Sequence, residues 1–453
     1  MELITNIVQM INKILWDYAL LFLLCGTGIW FTFRLRFVQI RRFKDGWNKT
    51  FGGLFKKGDK ADSDGISSFQ ALTTAIAAQV GTGNLAGAAT AIAAGGPGAI
   101  FWMWLSAFFG MATIYSEALM AQKFKTVKEG QITGGPVYYI RGAFKGTFGK
   151  VLAAIFSVLI IFALGFMGNA VQANSIGDAF ATAFGINPVI IGVIVSLVAF
   201  FIFAGGISRI ATVTEKLVPF MAFFYIIGSL IVIGVNFKAV PDAFYSIFVG
   251  AFNPQALAGG VIGVTVQKAM RYGVARGLFS NEAGMGSTPH AHAIAKVEHP
   301  GDQGCVAIVS VFIDTFVVLT MTALVVITTG VVRPDGSLIG TALTQAAFSS
   351  VFGKFGNIFI AICMFFFAFS TVIGWYFFGE ANVKYLFGKK AVKIYAVLVC
   401  VMIIVGSALK VELVWDMADA FNGMMVIPNL IALLALTGMV VKVSDEYDLK
   451  HKK

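Results

Sequence analysis

The sequence predicts an all-α polytopic membrane protein of about 11 transmembrane helices, and three observations support this fold class. Of the 453 residues, 58% are hydrophobic and only 13% are charged, whereas a soluble protein has roughly 25% charged residues. The apolar stretches are continuous and approach the length of about 20 residues that a spanning helix needs, without the alternation of barrel strands. Basic residues are concentrated between these stretches, as the positive-inside rule requires.

A basic segment near the N-terminus orients the predicted spans. The first span covers roughly residues 13–33, and residues 34–60 then contain nine Lys or Arg residues against two Asp residues. Such loops stay in the cytoplasm, so we expect the N-terminus outside the plasma membrane and the C-terminus inside. Because the basic residues follow the apolar core, the segment is not a signal peptide. These loops explain the net charge of +11 without nucleic-acid binding.

The second predicted span, roughly residues 66–95, is interrupted at its centre. Residues 77–84 read Ala-Ala-Gln-Val-Gly-Thr-Gly-Asn, and each glycine lowers helix stability by about 1 kcal/mol relative to alanine. Amide and hydroxyl side chains at membrane depth are costly unless they face a partner. We therefore predict a broken helix whose freed backbone groups line a cavity. The alternative is close helix packing through Gly83 and Gly87.

Nine further spans follow the broken one. They are predicted at roughly residues 98–122, 150–176, 187–206, 214–236, from 256 inward, 304–330, 355–379, 391–409 and 414–441. Short external helical segments are expected near residues 240–257 and 340–352. Residues 442–453 form a charged cytoplasmic tail.

The span that begins near residue 256 is predicted to be a second broken helix, because glycines and basic residues punctuate it. The break is placed near Gly273 and Gly277, with residues 260–265 as the alternative, and the polar run over residues 279–287 is placed on the cytoplasmic side. Without the first span, the helices form two sets of five, over residues 61–238 and 239–441. Each set begins with a broken helix. This spacing indicates an inverted repeat preceded by one extra N-terminal helix in residues 1–60.

A break at mid-membrane exposes backbone groups that suit a zwitterion and a cation. N–H groups at one half-helix end favour a carboxylate, and C=O groups at the other favour a cation. The ninth span adds Ser370 and Thr371, although such hydroxyls also bond back to the preceding helical turn. Trp375 lies one turn further, where it could close a small pocket or face the lipid interface.

Other polar residues of the apolar spans are further candidates. Asp314 lies inside the eighth span, where it could ligate a cation, carry a proton or pair with Arg271 or Arg276. In the fourth span, Asn169 and Gln172 could face the same cavity. Phe166 is a candidate aromatic lid, with core packing as the alternative.

An enzyme is not predicted, because no catalytic constellation is visible. The four cysteines have no paired spacing, and His290 and His292 lack a third ligand at metal spacing. Nor is there a nucleotide-binding or soluble domain. Transport would therefore be passive or driven by an ion gradient.

Two motifs carry a family resemblance. Residues 95–110, Gly-Gly-Pro-Gly-Ala-Ile-Phe-Trp-Met-Trp-Leu-Ser-Ala-Phe-Phe-Gly, closely resemble the signature of the alanine/glycine:cation symporter family. Residues 277–286, Gly-Leu-Phe-Ser-Asn-Glu-Ala-Gly-Met-Gly, are similarly typical of that family. The resemblance covers nearly the whole chain. It implies a leucine-transporter-like fold with a 5+5 inverted repeat, to which this chain adds one N-terminal helix.

The resemblance also implies roles for individual residues. Residues 77–84 resemble the broken first core helix of that fold, whose pattern is Asn-Ala-Val-Gly-Leu-Gly-Asn; Ala78 and Gln79 replace its first two residues, and Thr82 replaces Leu. Asn84 matches a ligand of a second sodium site, although Gln79 could take the substrate there instead. The implied sodium ligands are Ala77, Val80, Phe367, Ser370, Thr371 and Asn84. The predicted substrate site comprises Gln79, Gly81, Thr82, Gly83, Phe166, Asn169, Gly273, Gly277, Thr371 and Trp375.

The predicted function is sodium-coupled import of alanine or glycine by alternating access. Sodium is co-transported, and a single chain is sufficient for the site. One alternative is a proton-coupled carrier that uses Asp314 or Glu282. A channel is another alternative.

Overall fold

The computed structural model describes residues 2–52, 65–128, 130–253, 265–333 and 336–451. Part of the predicted basic segment, the boundary at residue 60 and residues 260–264 of the alternative break lie outside these ranges. Within them the regular structure is helical, apart from an antiparallel hairpin of β1 (Thr126–Lys128) and β2 (Gln131–Thr133).

The helices of the first half follow the predicted spans closely. Some of these helices are joined end to end by short π-helical stretches, which lie at Leu15–Ala19, Gly83–Gly87 and Ile161–Gly168. In order, the helices are α1 (Glu2–Ile14), α2 (Leu20–Arg34), α3 (Val38–Arg41), α4 (Phe43–Phe51), α5 (Ser68–Gln79), α6 (Ala88–Gly95), α7 (Gly98–Lys123), α8 (Pro136–Ala143), α9 (Gly146–Ile160), α10 (Asn169–Phe184), α11 (Pro188–Phe203) and α12 (Gly206–Val235).

The second half begins with a short helix after a 3-10 turn at Phe237–Ala239, and it contains a further π-helical stretch at Phe312–Leu319. Its helices are α13 (Val240–Phe252), α14 (Val266–Asn281), α15 (Pro289–Ala293), α16 (Pro300–Val311), α17 (Thr320–Thr328), α18 (Gly340–Phe352), α19 (Lys354–Phe387), α20 (Ala391–Ala408), α21 (Val411–Ala435) and α22 (Thr437–Lys450).

Among the described residues, eight helices are long and apolar enough to cross a membrane, and α11 is a shorter apolar helix. The two interrupted helices do not reach that length, because each half is short. The fold class is confirmed, and the count of eleven spans stays a prediction.

The first interrupted helix has a clear local cause at each end. The Ser67 side chain accepts from Gln70 N at 3.0 Å and the Gln70 side chain accepts from Ser67 N, which forms a capping box at the start of α5. The helix stops at Val80, whose φ and ψ of −81° and 84° are not helical. It resumes at Gly83 as a π turn, a feature that is frequent at functional sites. The predicted interruption of this span is therefore present at residues 80–82.

The predicted position of the second break is wrong. Helix α14 continues through Gly273 and Gly277 to Asn281, and the chain unwinds over residues 282–288. Three positive φ values cause the break: 57° at Glu282, 92° at Gly284 and 77° at Gly286. Left-handed backbone ends a right-handed helix, and it is costly at a non-glycine residue such as Glu282.

The extra N-terminal helices pack on only part of the core. Helix α2 lies against α7 and α21, α1 lies against α21, and α4 lies against α16. One contact joins the two ends of the chain: Arg42 Nη2 and Arg41 Nη1 bind the two carboxylate oxygens of Asp448 on α22 at 2.5 and 2.7 Å. Burial opposes ionisation of Asp448, but the hydrogen bonds from Arg42 and Arg41 prevail and hold the pKa of that carboxyl below its usual value.

Candidate functional site

The break in the first interrupted helix is packed against α10 and α19. Gly81 N donates to Asn84 Oδ1 at 2.9 Å, and Thr82 N donates to Gln172 Oε1 at 3.2 Å. A Cβ at Gly81 would lie 2.3 Å from Thr371 Oγ1, so only glycine fits at this position. Gln79 Nε2 donates to Asn281 O at 2.8 Å, which joins the first break to the start of the second.

Backbone and hydroxyl oxygens converge where α5 ends beside α19. Thr371 Oγ1 lies 2.9 Å from Ala77 O and 3.1 Å from Phe367 O. Ser370 Oγ lies 3.3 Å from Ala77 O and 2.8 Å from Phe367 O. Four of the five oxygen ligands predicted for one sodium ion therefore lie together. The fifth predicted ligand residue, Val80, is buried at the same break. All four are uncharged oxygen ligands of the kind that hard cations prefer.

A second polar cluster surrounds Asp314, which is fully buried. Its Oδ1 accepts from Asn84 Nδ2 at 2.7 Å and from Ser280 Oγ at 2.9 Å, and its Oδ2 accepts from Thr315 Oγ1 at 2.8 Å. The predicted alternative of a pair between Asp314 and an arginine is wrong. Among the described residues, the arginines named for it pair elsewhere: Arg271 with Asp17, and Arg276 with Asp419.

Trp375 closes the other end of this region. The side chain is fully buried, so the alternative of a lipid-interface tryptophan is wrong. Its Nε1 donates to a carboxylate oxygen of Glu282, and its ring meets Phe279 edge to face with centroids 5.6 Å apart. A Cβ at Gly168 would lie 2.4 Å from the ring, so the indole is held tightly against the fourth predicted span.

Several buried polar atoms around the break have no hydrogen-bond partner within the described ranges. Roughly 90% or more of buried polar groups are satisfied in proteins, so a group of such atoms in one place needs an explanation. A bound water molecule or a polar solute would satisfy them. The atoms are Gln79 Oε1, Thr82 Oγ1, Asn169 Oδ1 and Gln172 Nε2.

Some predicted site residues lie elsewhere. Gly273 and Gly277 serve helix packing: a Cβ on the first would lie 2.4 Å from Ala99 O, and one on the second 3.3 Å from Ser106 Oγ. Phe166 is half-buried against Phe162 and Tyr395, with centroid distances of 5.5 and 5.9 Å. Gly83, in contrast, stays at the first break, where an added Cβ would lie 2.9 Å from Ser280 Cα of α14.

The sequence predicted that the polar run over residues 279–287 lies on the cytoplasmic side. In the structure, this run instead contains the second break and reaches the site. Glu117 of α7, which was not among the candidates, holds this segment. Its carboxylate accepts from Gly284 N at 3.0 Å, Gly286 N at 2.9 Å and Asn429 Nδ2 at 2.6 Å. A lone carboxylate inside an apolar span was the signal that could have identified it.

The two ends of the site differ. On the side predicted to be external, Arg276 and Asp419 form a bidentate pair at 2.8 and 2.7 Å. On the opposite side, a cavity of about 870 Å³ opens between the hairpin and the end of α19, lined by Lys128, Lys384 and His290 among others. An ion pair therefore closes one end of the molecule, and a cavity opens at the other.

Solved structures share this architecture. A crystal structure of MhsT in complex with L-phenylalanine aligns with a TM-score of 0.57 over 83% of this chain and 97% of that one, at 13% identity. A manganese transporter of Eremococcus coleocola aligns with a TM-score of 0.53 over 84% of this chain and 81% of that one, at 14% identity. The molecule therefore has the leucine-transporter fold, with its two interrupted helices.

The chain belongs to the sodium:alanine symporter family, whose model matches residues 1–453. It is 43% identical to the sodium/alanine symporter AgcS of Methanococcus maripaludis, over 98% of this chain and 97% of that protein. It is 40% identical to a putative sodium/proton-dependent alanine carrier of Bacillus subtilis, over 99% and 93%. It is equally 40% identical to a probable sodium/glutamine symporter of that organism, over 100% and 92%. The protein is a membrane transporter and not an enzyme, and its family supports cation-coupled amino-acid transport.

Proposed function

We propose that this protein imports alanine or glycine with sodium across the plasma membrane, by alternating access, with its N-terminus outside. The single observation that carries the proposal is the convergence of Ala77 O, Phe367 O, Ser370 Oγ and Thr371 Oγ1 beside the first break. These oxygens would exchange their mutual hydrogen bonds for a sodium ion, with their lone pairs turned towards it.

The substrate would lie between the two breaks, next to the unpartnered atoms of Gln79 and Thr82. Its carboxylate would take the N–H groups at Gly81 and Gly83, where the second half-helix begins. Gly81 N now donates to Asn84 Oδ1, so this hydrogen bond must open first. Trp375 limits the space beyond the α-carbon, which favours a methyl group or a hydrogen.

Asn84 would belong to a second cation site with Asp314 and Ser280. Asn84 Nδ2 also donates to Asp314 O at 3.1 Å, so this carboxylate and backbone carbonyl lie side by side. A buried carboxylate without a cationic partner among the described residues gains most from a bound cation. A proton on Asp314 or Glu282 is the competing possibility.

Uptake of radiolabelled alanine into proteoliposomes tests the proposal. An inward sodium gradient should drive accumulation above the external concentration, and potassium in its place should not. Accumulation that follows a pH gradient without sodium would replace sodium with a proton as the coupling ion. Flux that never accumulates would contradict symport and favour a channel.

A further inference from the structure

The side chain of Gln70 both caps the start of α5 and attaches this helix to α12. Its Oε1 accepts from Ser67 N at 3.2 Å, within the capping box, and its Nε2 donates to Glu215 Oε2 at 3.0 Å. These two partners fix the orientation of the amide group, because a backbone N–H only donates and an ionised carboxylate only accepts. A glutamate at position 70 would therefore keep the cap and lose the hydrogen bond to α12.

Among the described residues, this is the only hydrogen bond with a clear donor between α5 and α12. The other polar contact joins Thr74 Oγ1 and Thr214 Oγ1 at 3.2 Å. Each of these hydroxyls also has a backbone acceptor on its own helix, Gln70 O at 2.7 Å and Ala211 O at 3.1 Å. Since a hydroxyl has one hydrogen to donate, the contact between the two threonines adds little.

Helix α5 is attached at both ends to the second interrupted helix. Just before α5, Ile66 N donates to Ile294 O at 3.2 Å, and Lys296 N donates to Ile66 O at 3.0 Å. At the end of α5, Gln79 Nε2 donates to Asn281 O at 2.8 Å. These three hydrogen bonds join α5 to residues of α14 and to the segment that follows α15. We therefore expect α5 to separate from α12 more easily than from the second interrupted helix.

The end of α5 that lies away from Gln70 carries the proposed ion site. Ala77 is about two turns, or roughly 10 Å, beyond Gln70 along the same continuous helix. Its carbonyl oxygen is the one that Ser370 and Thr371 of α19 reach. Helices α12 and α19 contact each other and together form the wall on which α5 lies. A separation of α5 from this wall at Gln70 therefore also moves Ala77 O away from the two hydroxyls.

We propose that the Gln70–Glu215 hydrogen bond is a gating contact, which holds α5 against α12 while sodium is bound and opens when the ion leaves. With the bond open, α5 leaves the wall together with the second interrupted helix, and the oxygen ligands of the ion separate. The contact lies at the end of α5 that is predicted to be cytoplasmic, so its opening releases sodium towards that side. The inference rests on the proposed function, since it takes sodium to bind beside Ala77 O.

The sodium dependence of radiolabelled alanine uptake into proteoliposomes tests the gating contact. Gln70→Glu keeps the acceptor for Ser67 N but removes the donor to Glu215, so a smaller fraction of molecules can bind sodium. The sodium concentration for half-maximal uptake should rise at least about tenfold, with substrate preference unchanged. Gln131→Glu adds the same charge at an exposed position on the same predicted side. It is the matched control and should keep wild-type sodium activation.

A double variant tests whether the hydrogen bond itself is responsible. Gln70→Glu combined with Glu215→Gln restores a hydrogen bond between the same two positions, with the donor now at position 215. The sodium concentration for half-maximal uptake should return to within about threefold of the wild-type value. A role in folding alone would change the amount of active protein and leave this concentration unchanged.

The outcomes separate this proposal from the function on which it rests. Wild-type sodium activation in a folded Gln70→Glu protein, or a double variant as impaired as the single one, would overturn the gating contact and leave the transport function intact. Uptake by the wild type that does not depend on sodium would overturn both. If Gln70→Glu fails to fold, as judged by gel filtration, Glu215→Ala takes its place with the same expected rise, because it removes the acceptor of Gln70 Nε2.

Discussion

At the scale of single residues, Ser370 and Thr371 show how two readings of a sequence can both be correct. Hydroxyls in membrane helices usually bond to the preceding turn, and both do bond to Phe367 O. Both also reach Ala77 O on another helix. The sequence predicted the ligand set through its family resemblance, but only the fold brings Ala77 to α19.

Trp375 supports a prediction about substrate size. Trp375→Ala should admit larger side chains, so that uptake of valine relative to alanine rises by about tenfold or more, the scale on which a pocket discriminates methylene groups. Competition uptake with labelled alanine measures this. Trp375→Phe is the control, since it keeps a ring in the pocket but removes the donor to Glu282. An unchanged substrate profile in Trp375→Ala would remove this residue from the pocket.

At the scale of elements, the two broken helices explain which breaks a sequence can predict. In the first, glycines and polar side chains coincide, and the break lies where they do. In the second, glycine density was misleading, because Gly273 and Gly277 bring α14 close to α7. The actual break begins at Glu282, whose backbone is left-handed. Helix propensities do not indicate such a conformation at a glutamate.

The first break provides a matched pair of glycine substitutions. Gly81→Ala places a methyl group 2.3 Å from Thr371 Oγ1, so the oxygens of the site must shift. Since a displacement of about 1 Å can cost roughly 100-fold in rate, we expect at least that loss of uptake. At Gly87 the nearest atom to an added Cβ lies 3.8 Å away, so Gly87→Ala should transport normally. Equal activity of the two variants in proteoliposomes would contradict the geometry of the break.

The terminal helix α22 supports a prediction about stability. Asp448→Asn should lower the free energy of unfolding by about 1 kcal/mol, the upper end for accessible ion pairs, because it removes the negative charge with which Arg41 and Arg42 pair. Asp445→Asn is the control, since its pair with Arg36 is largely exposed. Thermal unfolding monitored by gel filtration compares the variants. Equal melting temperatures of Asp448→Asn and the wild type would contradict the contact.

The lowered pKa of Asp448 determines how the loss of stability in Asp448→Asn depends on pH. The ionised carboxylate stabilises the fold above the usual aspartate pKa of about 3.9, and this stability is lost as the pH falls through the lowered folded pKa. The difference between wild type and Asp448→Asn should therefore be constant near neutral pH and vanish in acid. A difference in unfolding free energy between the two proteins that grows as the pH falls would contradict this prediction.

At the scale of the whole molecule, the extra helices and α22 attach to one set of core helices. Helices α2 and α22 contact α7, α4 and α22 contact α16, and α1 and α2 contact α21. These contacts suggest that the chain ends move with that set if the core rearranges.

Composition and loop charge predicted the helical class and most span positions, because apolar length is a local property. The sequence did not identify the groups that pair with three buried or partly buried carboxylates, because those groups lie far away along the chain. The carboxylates are those of Asp17, Glu117 and Asp419.

The sodium dependence of alanine uptake in Thr371→Ala tests the central claim most directly. The account predicts that the sodium concentration for half-maximal uptake rises about tenfold or more, for the loss of one buried oxygen ligand, with little change in substrate preference. Thr212→Ala, which removes an exposed hydroxyl bonded to Ser208 O, should leave sodium activation unchanged. Wild-type sodium activation in a folded Thr371→Ala protein would contradict the assignment of the ion site, and with it the proposed coupling.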